Sequence, residues 1–391
     1  MTSKAYPAAW AYGAAVRAAA RRWQRRGLLA PAQQAAIAAA HAAPYYQPPY
    51  WIRVLLFGAA LFGTVMSSLF VGVVINFQLA PLAYGVLALV GAVAALEFTI
   101  RTALHYRSGV DNALLYCALL AWGFIVGYVE RDLPSDSLAS PTLWLWLLPM
   151  LLVLLGALVR YADPLVAAGC WVAALALLAN GLLQSSWGRL LLPVGVMAAA
   201  GGLLLALRQL PRRPDYFYYR SAGAVLRALG LATLYLAGNY LVVREGNAAL
   251  LGKGGPSGQI PLAPLFYVCT AAIPLAYVGL ALRRHDRLLL IIGLLALAFS
   301  VFTLRYYRSL LPPAVAATLA GAALLLGALL ALRHLRTPRH GLTAAADGEA
   351  PPQFNLESVT TAQTAHVPAA PEVGFQFGGG HSGGGGAEGV F

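Results

Sequence analysis

The chain is built from long, nearly unbroken apolar runs separated by short basic or aromatic breaks. A helix needs about 20 mostly apolar residues to cross about 30 Å of hydrocarbon. Ten runs meet that length: 52–77, 81–100, 112–129, 142–159, 164–184, 190–208, 221–243, 261–282, 288–304 and 312–332. The pattern predicts an all-α, polytopic transmembrane helical bundle of about ten spans over residues 52–332, with residues 1–51 and 333–391 outside it.

Both outer segments have a character of their own. Over residues 8–43 an Ala-rich stretch carrying Arg17, Arg21, Arg22, Arg25 and Arg26 runs to Gly27, and a second helix opens at Pro31. Glycine just past a helix and proline in a first turn predict a helical hairpin. Residues 44–50 (Pro-Tyr-Tyr-Gln-Pro-Pro-Tyr) read as a stiff linker into the first span. The tail, 333–391, is polar, Pro-rich and finally Gly-rich. It is expected to be disordered, because it offers too little apolar surface to offset its conformational entropy.

Composition excludes whole classes of function. Of 391 residues, 60% are hydrophobic and 10% charged, against about 45–50% and 25% in soluble domains. Lys and Arg number 27 against 14 Asp and Glu, but the arginines are scattered between apolar blocks, so no nucleic-acid partner is expected. The positive-inside rule instead uses them to set topology. Ten spans with both termini in the cytoplasm of a bacterial inner membrane put most of the 27 basic residues on the cytoplasmic side and leave only Arg131, Arg189, Arg244, Lys253, Arg305 and Arg308 opposite. Arg227 falls inside a span. Tyr45, Tyr46, Tyr50 and Trp51, Trp144 and Trp146, Trp187, and Tyr216 to Tyr219 flank spans, where aromatic side chains anchor at the headgroup level. No cleavable signal peptide is expected, since the first apolar run is long enough to span. Cys117, Cys170 and Cys269 have no paired spacing and read as small core residues.

Candidate chemistry is sparse. Gly380-His381-Ser382-Gly383-Gly384 has the form of a hydrolase elbow, but it lies in a glycine-rich tail with neither strand nor helix to hold the serine. Gly246 to Gly254 has five residues between glycines where a phosphate loop needs four, and Lys253 is followed by Gly254; it reads as a flexible extracytoplasmic loop. The seven histidines all fall outside the spans, which argues against a membrane haem. No metal spacing occurs and no cofactor is expected. Gly123-Phe-Ile-Val-Gly127 allows close helix approach.

Ionisable residues within spans are the best pointers to function in a membrane protein. Glu97 precedes Arg101 by four residues, which suits a pair on one helix face. Arg227 lies seven residues beyond Arg220, about 10 Å deeper. It can snorkel, or it can meet a carboxylate, with Glu97, Asp111 or Asp163 at matching depth. A polar cluster of Glu97, Arg101, Asp111, Asn112 and Arg227 is therefore expected at the cytoplasmic side. Asn180, Asn239 and Tyr240 are polar span residues expected to join helices by hydrogen bonds.

Three stretches resemble a group of uncharacterised bacterial polytopic membrane proteins that share an N-terminal helical hairpin followed by a multi-span bundle. They are Trp23-Gln24-Arg25-Arg26-Gly27-Leu28-Leu29 with Gln33-Gln34 and Tyr45-Tyr46-Gln47-Pro48-Pro49; Tyr106-Arg107-Ser108-Gly109-Val110-Asp111-Asn112-Ala113-Leu114; and Leu304-Arg305-Tyr306-Tyr307. The resemblance implies the same architecture over residues 10–335 and no established activity.

Three functions compete. A non-enzymatic sensor, scaffold or regulator would work through its cytoplasmic hairpin and tail, with anionic lipid headgroups and the bilayer as partners. A transporter of a small neutral or apolar molecule needs few charges. An intramembrane enzyme on a lipid-linked substrate would need His105, Arg107, Asp111 and Asn112 to converge in a water-filled cavity.

Overall fold

The computed structural model describes residues 4–307 apart from 77, 79, 134–136, 251–258 and 261, together with isolated helical positions between 315 and 333. The expected tenth span, the tail, and the Gly380–Gly384 motif therefore lie outside the described residues or largely so.

The chain opens with the hairpin: α1 (Ala8–Arg25) and α2 (Pro31–Ala40). Gly27 adopts φ +70° between them, a left-handed turn that favours glycine. Among the described residues up to 307, twelve helices follow one another, the remaining ten being α3 (Tyr50–Val74), α4 (Pro81–Arg101), α5 (Val110–Val129), α6 (Leu143–Tyr161), α7 (Pro164–Leu183), α8 (Gly188–Leu207), α9 (Tyr216–Gly238), α10 (Tyr240–Leu250), α11 (Ala263–Arg284) and α12 (Arg287–Tyr307). Nine of the described helices, α3 to α9, α11 and α12, are long and apolar enough to cross a membrane. Among the described residues there is no strand, only an isolated bridge between Tyr46 and His105. The protein is a polytopic helical membrane protein.

Neighbours in sequence pack as antiparallel pairs, α4 with α5, α6 with α7, α8 with α9 and α11 with α12; α7 also packs on α9 and joins the first pairs to the last. Gly123 and Gly127 face Met150 and Trp146 of α6, so this glycine pair serves internal packing. The first span, α3, packs chiefly on α5 and leaves Leu55, Phe62, Leu69, Phe70 and Val73 exposed, as a lipid-facing helix does. Between α3, α4 and α5 lies a lateral, mostly apolar cavity of about 230 Å³, whose lining includes the Ser68–Tyr84 hydroxyl pair at 2.8 Å.

Two elements depart from the apolar pattern. The expected seventh span, 221–243, is two helices: α9 stops at Gly238, Asn239 is extended (ψ 127°), and α10 continues to Leu250. The stretch expected as a loop from Gly246 is helical as far as Leu250. Tyr45 and Tyr218, expected as headgroup anchors, are instead buried, at 9% and 2% exposure. Both belong to the core under the hairpin, beside Tyr6 and Tyr106.

Candidate functional site

The first residues, α1 and the Tyr45–Tyr46 linker lie against one end of the bundle, the hairpin face. The amide of Ala5 donates to the Arg160 carbonyl at 2.9 Å, and Lys4 pairs with Asp215 at 2.9 Å. Tyr6, Trp10, Tyr45 and Tyr106 form an aromatic cluster with ring centroids 4.9 to 6.5 Å apart. Three of these pairs are edge-to-face and two are tilted, and such contacts add to the burial of large apolar area.

Asp111 sits at the centre of this face and is 1% exposed. Its Oδ1 accepts from the Ser108 amide (2.9 Å), the Gly109 amide (3.2 Å) and the Ser108 hydroxyl (3.2 Å). Its Oδ2 accepts from the Arg107 amide (2.7 Å) and the Tyr6 hydroxyl (2.6 Å). The loop that offers these amides needs two left-handed residues, Arg107 (φ +50°) and Gly109 (φ +99°). Glycine is required at 109 for a second reason. A Cβ there would lie 2.2 Å from the Arg53 carbonyl oxygen, because the backbone of α3 crosses the loop. Five donors saturate the carboxylate, so it is a structural anchor and not a base open to substrate. Burial and the facing Asp111 push the Tyr6 hydroxyl well above the usual tyrosine value, so it remains a donor.

The neighbouring polar residues are equally committed. His105 Nδ1 meets the Ser108 hydroxyl at 2.8 Å. The Arg107 guanidinium makes long contacts to the carbonyls of Ala162 (3.4 Å) and Tyr218 (3.5 Å), bridging the α6–α7 turn to α9. Asn112 donates to Asp163 at 2.7 Å and Tyr116 to both its oxygens at 3.1 Å. Asp163 in turn caps α7 through the amides of Leu165 and Val166. His105, Arg107, Asp111 and Asn112 thus lie at one face, Asp111 buried and the other three half-buried, each engaged by neighbouring groups.

The expected five-residue cluster divides into three. Glu97 pairs with Arg101 at 3.0 Å and also takes Arg160 at 2.6 Å and the Tyr161 hydroxyl at 2.8 Å. Asp111 and Asn112 hold the hairpin face as described. Arg227 pairs with none of Glu97, Asp111 and Asp163; its partner is Asp286 in the turn between α11 and α12. The reason is depth. The first turns of α9 pack against the N-terminal segment, Tyr218 beside Tyr6 and Phe217 beside Tyr12. Arg227, nine residues or about 13 Å along the helix from Tyr218, pairs instead at the end of the α11–α12 pair.

A second polar centre surrounds the α9–α10 break. Asn239, about 18 Å along the helix from Arg227, is fully buried with Tyr240, Thr270 and Thr303. Its Oδ1 caps α10 by accepting from the amides of Leu241 (3.0 Å) and Val242 (3.3 Å). Its Nδ2 donates to the Tyr235 hydroxyl (2.9 Å), which meets Ser300 at 2.8 Å, and Ser300 donates to the Thr270 carbonyl at 2.6 Å. The Tyr240 amide, orphaned by the break, donates to the Thr270 hydroxyl at 2.9 Å. Four helices, α9 to α12, thus share one hydrogen-bond network, and Asn239 and Tyr240 join them as the sequence suggested.

Sequence reasoning missed Tyr6, Arg160 and Asp286. Asp163 followed by Pro164 carried a readable signal, a cap residue before a first-turn proline. Asp286 before α12 carried a weaker one. Among the described residues no group of three or more His, Cys, Asp and Glu side chains could hold a metal ion. No protein-family model, curated protein or solved structure matches the chain.

Proposed function

We propose that this integral membrane protein is a non-enzymatic sensor or regulator of a bacterial inner membrane. Both termini lie in the cytoplasm, and the N-terminal segment is its regulatory element, held against the bundle and able to respond to the membrane surface. It groups with the uncharacterised hairpin-bearing membrane proteins that its sequence resembles. The observation that carries this reading is the Tyr6–Asp111 contact, which ties a separate N-terminal segment to a carboxylate inside the helical bundle. Saturation of that carboxylate weighs against intramembrane catalysis at this face. The five hairpin arginines add attraction to anionic lipid, about 1 kcal/mol for each residue near the surface.

Two experiments test it. Tyr6→Phe combined with Lys4→Ala should raise hydrogen exchange across residues 4–12 while leaving α5 to α7 protected; unchanged exchange overturns the latch. A reporter active only outside the cytoplasm should be silent when fused after residue 340 and active after residue 253, and activity at 340 overturns the orientation.

A second reading, transport of a small neutral or apolar molecule, rests on the α9–α10 break. Interrupted helices expose backbone groups to cargo in many transporters. Thiol labelling of Thr270→Cys from both sides of the membrane discriminates the two, because an alternating pathway exposes the residue to each side and a static brace to neither.

A further inference from the structure

The first 96 residues contain Lys4, six arginines and no acidic residue; the first carboxylate in the chain is Glu97. Lys4 is paired with Asp215. Among the described residues, Arg17, Arg21, Arg22, Arg25 and Arg26 have no carboxylate within ion-pair distance. A cluster of cations without counter-charge favours an anion wherever it also has shape.

The described residues give it shape beside α1. A polar pocket of about 210 Å³ lies between α1 and the linker, bounded by Arg17, Arg21, Tyr45 and Gln47. Arg17 and Arg21 are one turn apart on α1 and face the same space. Arg17 is fixed there, since its Nη1 donates to the His41 carbonyl at 2.5 Å and its Nη2 to the Tyr45 hydroxyl. A guanidinium has five N–H donors, so a fixed one keeps others free for a ligand. Tyr45 is itself buried and braced by Trp10 at 5.0 Å. The volume is several times the ~30 Å³ share of one water and admits a tetrahedral group. Gln47 stands three residues, about 10 Å of extended chain, from the exposed Tyr50 and Trp51 that open α3. That places the pocket beside the headgroup layer.

We propose that the pocket of Arg17, Arg21, Tyr45 and Gln47 binds a phosphate group, from an anionic phospholipid headgroup or from a soluble phosphate. Paired guanidinium groups suit such an anion because their planar forks match its oxygens. The inference rests on the reading of the N-terminal segment as the regulatory element and supplies its ligand.

The test uses the full-length protein in neutral detergent, with hydrogen exchange over residues 14–47 and melting temperature as readouts. The probes are dioctanoyl-phosphatidic acid, inorganic phosphate and, as control, dioctanoyl-phosphatidylcholine. Phosphatidic acid should protect the pocket at concentrations where phosphatidylcholine does not. Arg21→Gln should weaken binding about tenfold or more, the worth of a charge-assisted hydrogen bond. Arg21 is exposed and among the described residues its side chain makes no ion pair, so this variant should keep the fold. Arg26→Gln removes the same charge outside the pocket and should bind as the parent does. Protection by inorganic phosphate at matching concentration supports the site and assigns it to a soluble ligand; protection by the lipid alone assigns it to headgroups. Equal weakening in both variants, or no protection by either phosphate probe, overturns the site. Neither result bears on the Tyr6 latch, which is read separately from exchange in residues 4–12.

Discussion

The Tyr6 hydroxyl donates to Asp111 Oδ2 at 2.6 Å across 105 residues of sequence. It is the buried contact through which a segment ahead of the first span reaches the N-terminal turn of the third. Tyr6→Phe removes one of five donors to the carboxylate and should cost about 1.5 kcal/mol, the lower end for a hydrogen bond to a charged group. Asp111→Ala strands the Arg107, Ser108 and Gly109 amides and should cost more than about 3 kcal/mol. Thermal unfolding in detergent checks both, and the double variant should fall short of the sum.

Gly109→Ala tests the loop that presents those amides. The position combines φ +99° with a backbone oxygen 2.2 Å from the new Cβ. Neither can relax without moving α3, so the variant should lose at least ~2 kcal/mol or fail to fold. Gly91→Ala, where nothing lies within 4 Å, is the control and should melt near the parent.

Acid and alkali should release the N-terminal segment for different reasons. Lys4 holds the Asp215 carboxyl below its ordinary value, so this pair contributes above the unfolded aspartate value near 3.9 and is lost as pH falls through the lower, folded value. The Tyr6 hydroxyl is raised, so its contribution is complete below about 10 and is lost as pH rises beyond it. Exchange in residues 4–12, corrected for its intrinsic pH dependence, should be flat from about pH 5 to pH 9 and rise at either end. Lys4→Ala should abolish the acid limb and leave the alkaline one.

Arg227 supplies a test of specificity. Its side chain is 40% exposed, so its pair with Asp286 should couple by only about 0.5–1 kcal/mol in a double-mutant cycle. Arg227→Leu and Glu97→Gln should instead be additive, because Glu97 is engaged by Arg101 and Arg160. Coupling between 227 and 97 with none to 286 would contradict the observed geometry.

What the sequence displayed and what it hid follow from the range of each interaction. Span positions and the hairpin depend on runs of local composition, and Gly27 and Pro31 punctuate the hairpin within a few residues. The Glu97–Arg101 pair was visible because helix geometry fixes residues four apart. The rest is tertiary. Arg227 was given the wrong carboxylates because its depth was measured from Arg220, while the structure sets it by the turns of α9 that pack under the N-terminal segment. Tyr45 and Tyr218 looked like anchors because flanking aromatics usually are; their partners, Tyr6 and Tyr106, are distant in the chain. The break at Asn239 was hidden because one asparagine barely lowers the apolar average of its run.

That break gives the sharpest test of local design. Asn239 replaces the missing helical partners of α10 with its own Oδ1, and Thr270 accepts the orphaned Tyr240 amide. The Thr270 hydroxyl also donates to the Phe266 carbonyl at 2.7 Å, which turns its lone pairs toward Tyr240. Thr270→Val keeps the shape and deletes the acceptor, so it should cost about 1–3 kcal/mol, the penalty for an unmet buried N–H. Thr270→Ser restores the hydroxyl and should recover most of that loss. Asn239→Leu removes the cap and the donor to Tyr235 together, and should be worse than Thr270→Val. Because both act on the start of α10, their combination should be less than additive. Strictly additive losses, or a Thr270→Ser variant no more stable than Thr270→Val, would show that packing rather than the hydrogen-bond network holds the interrupted helix.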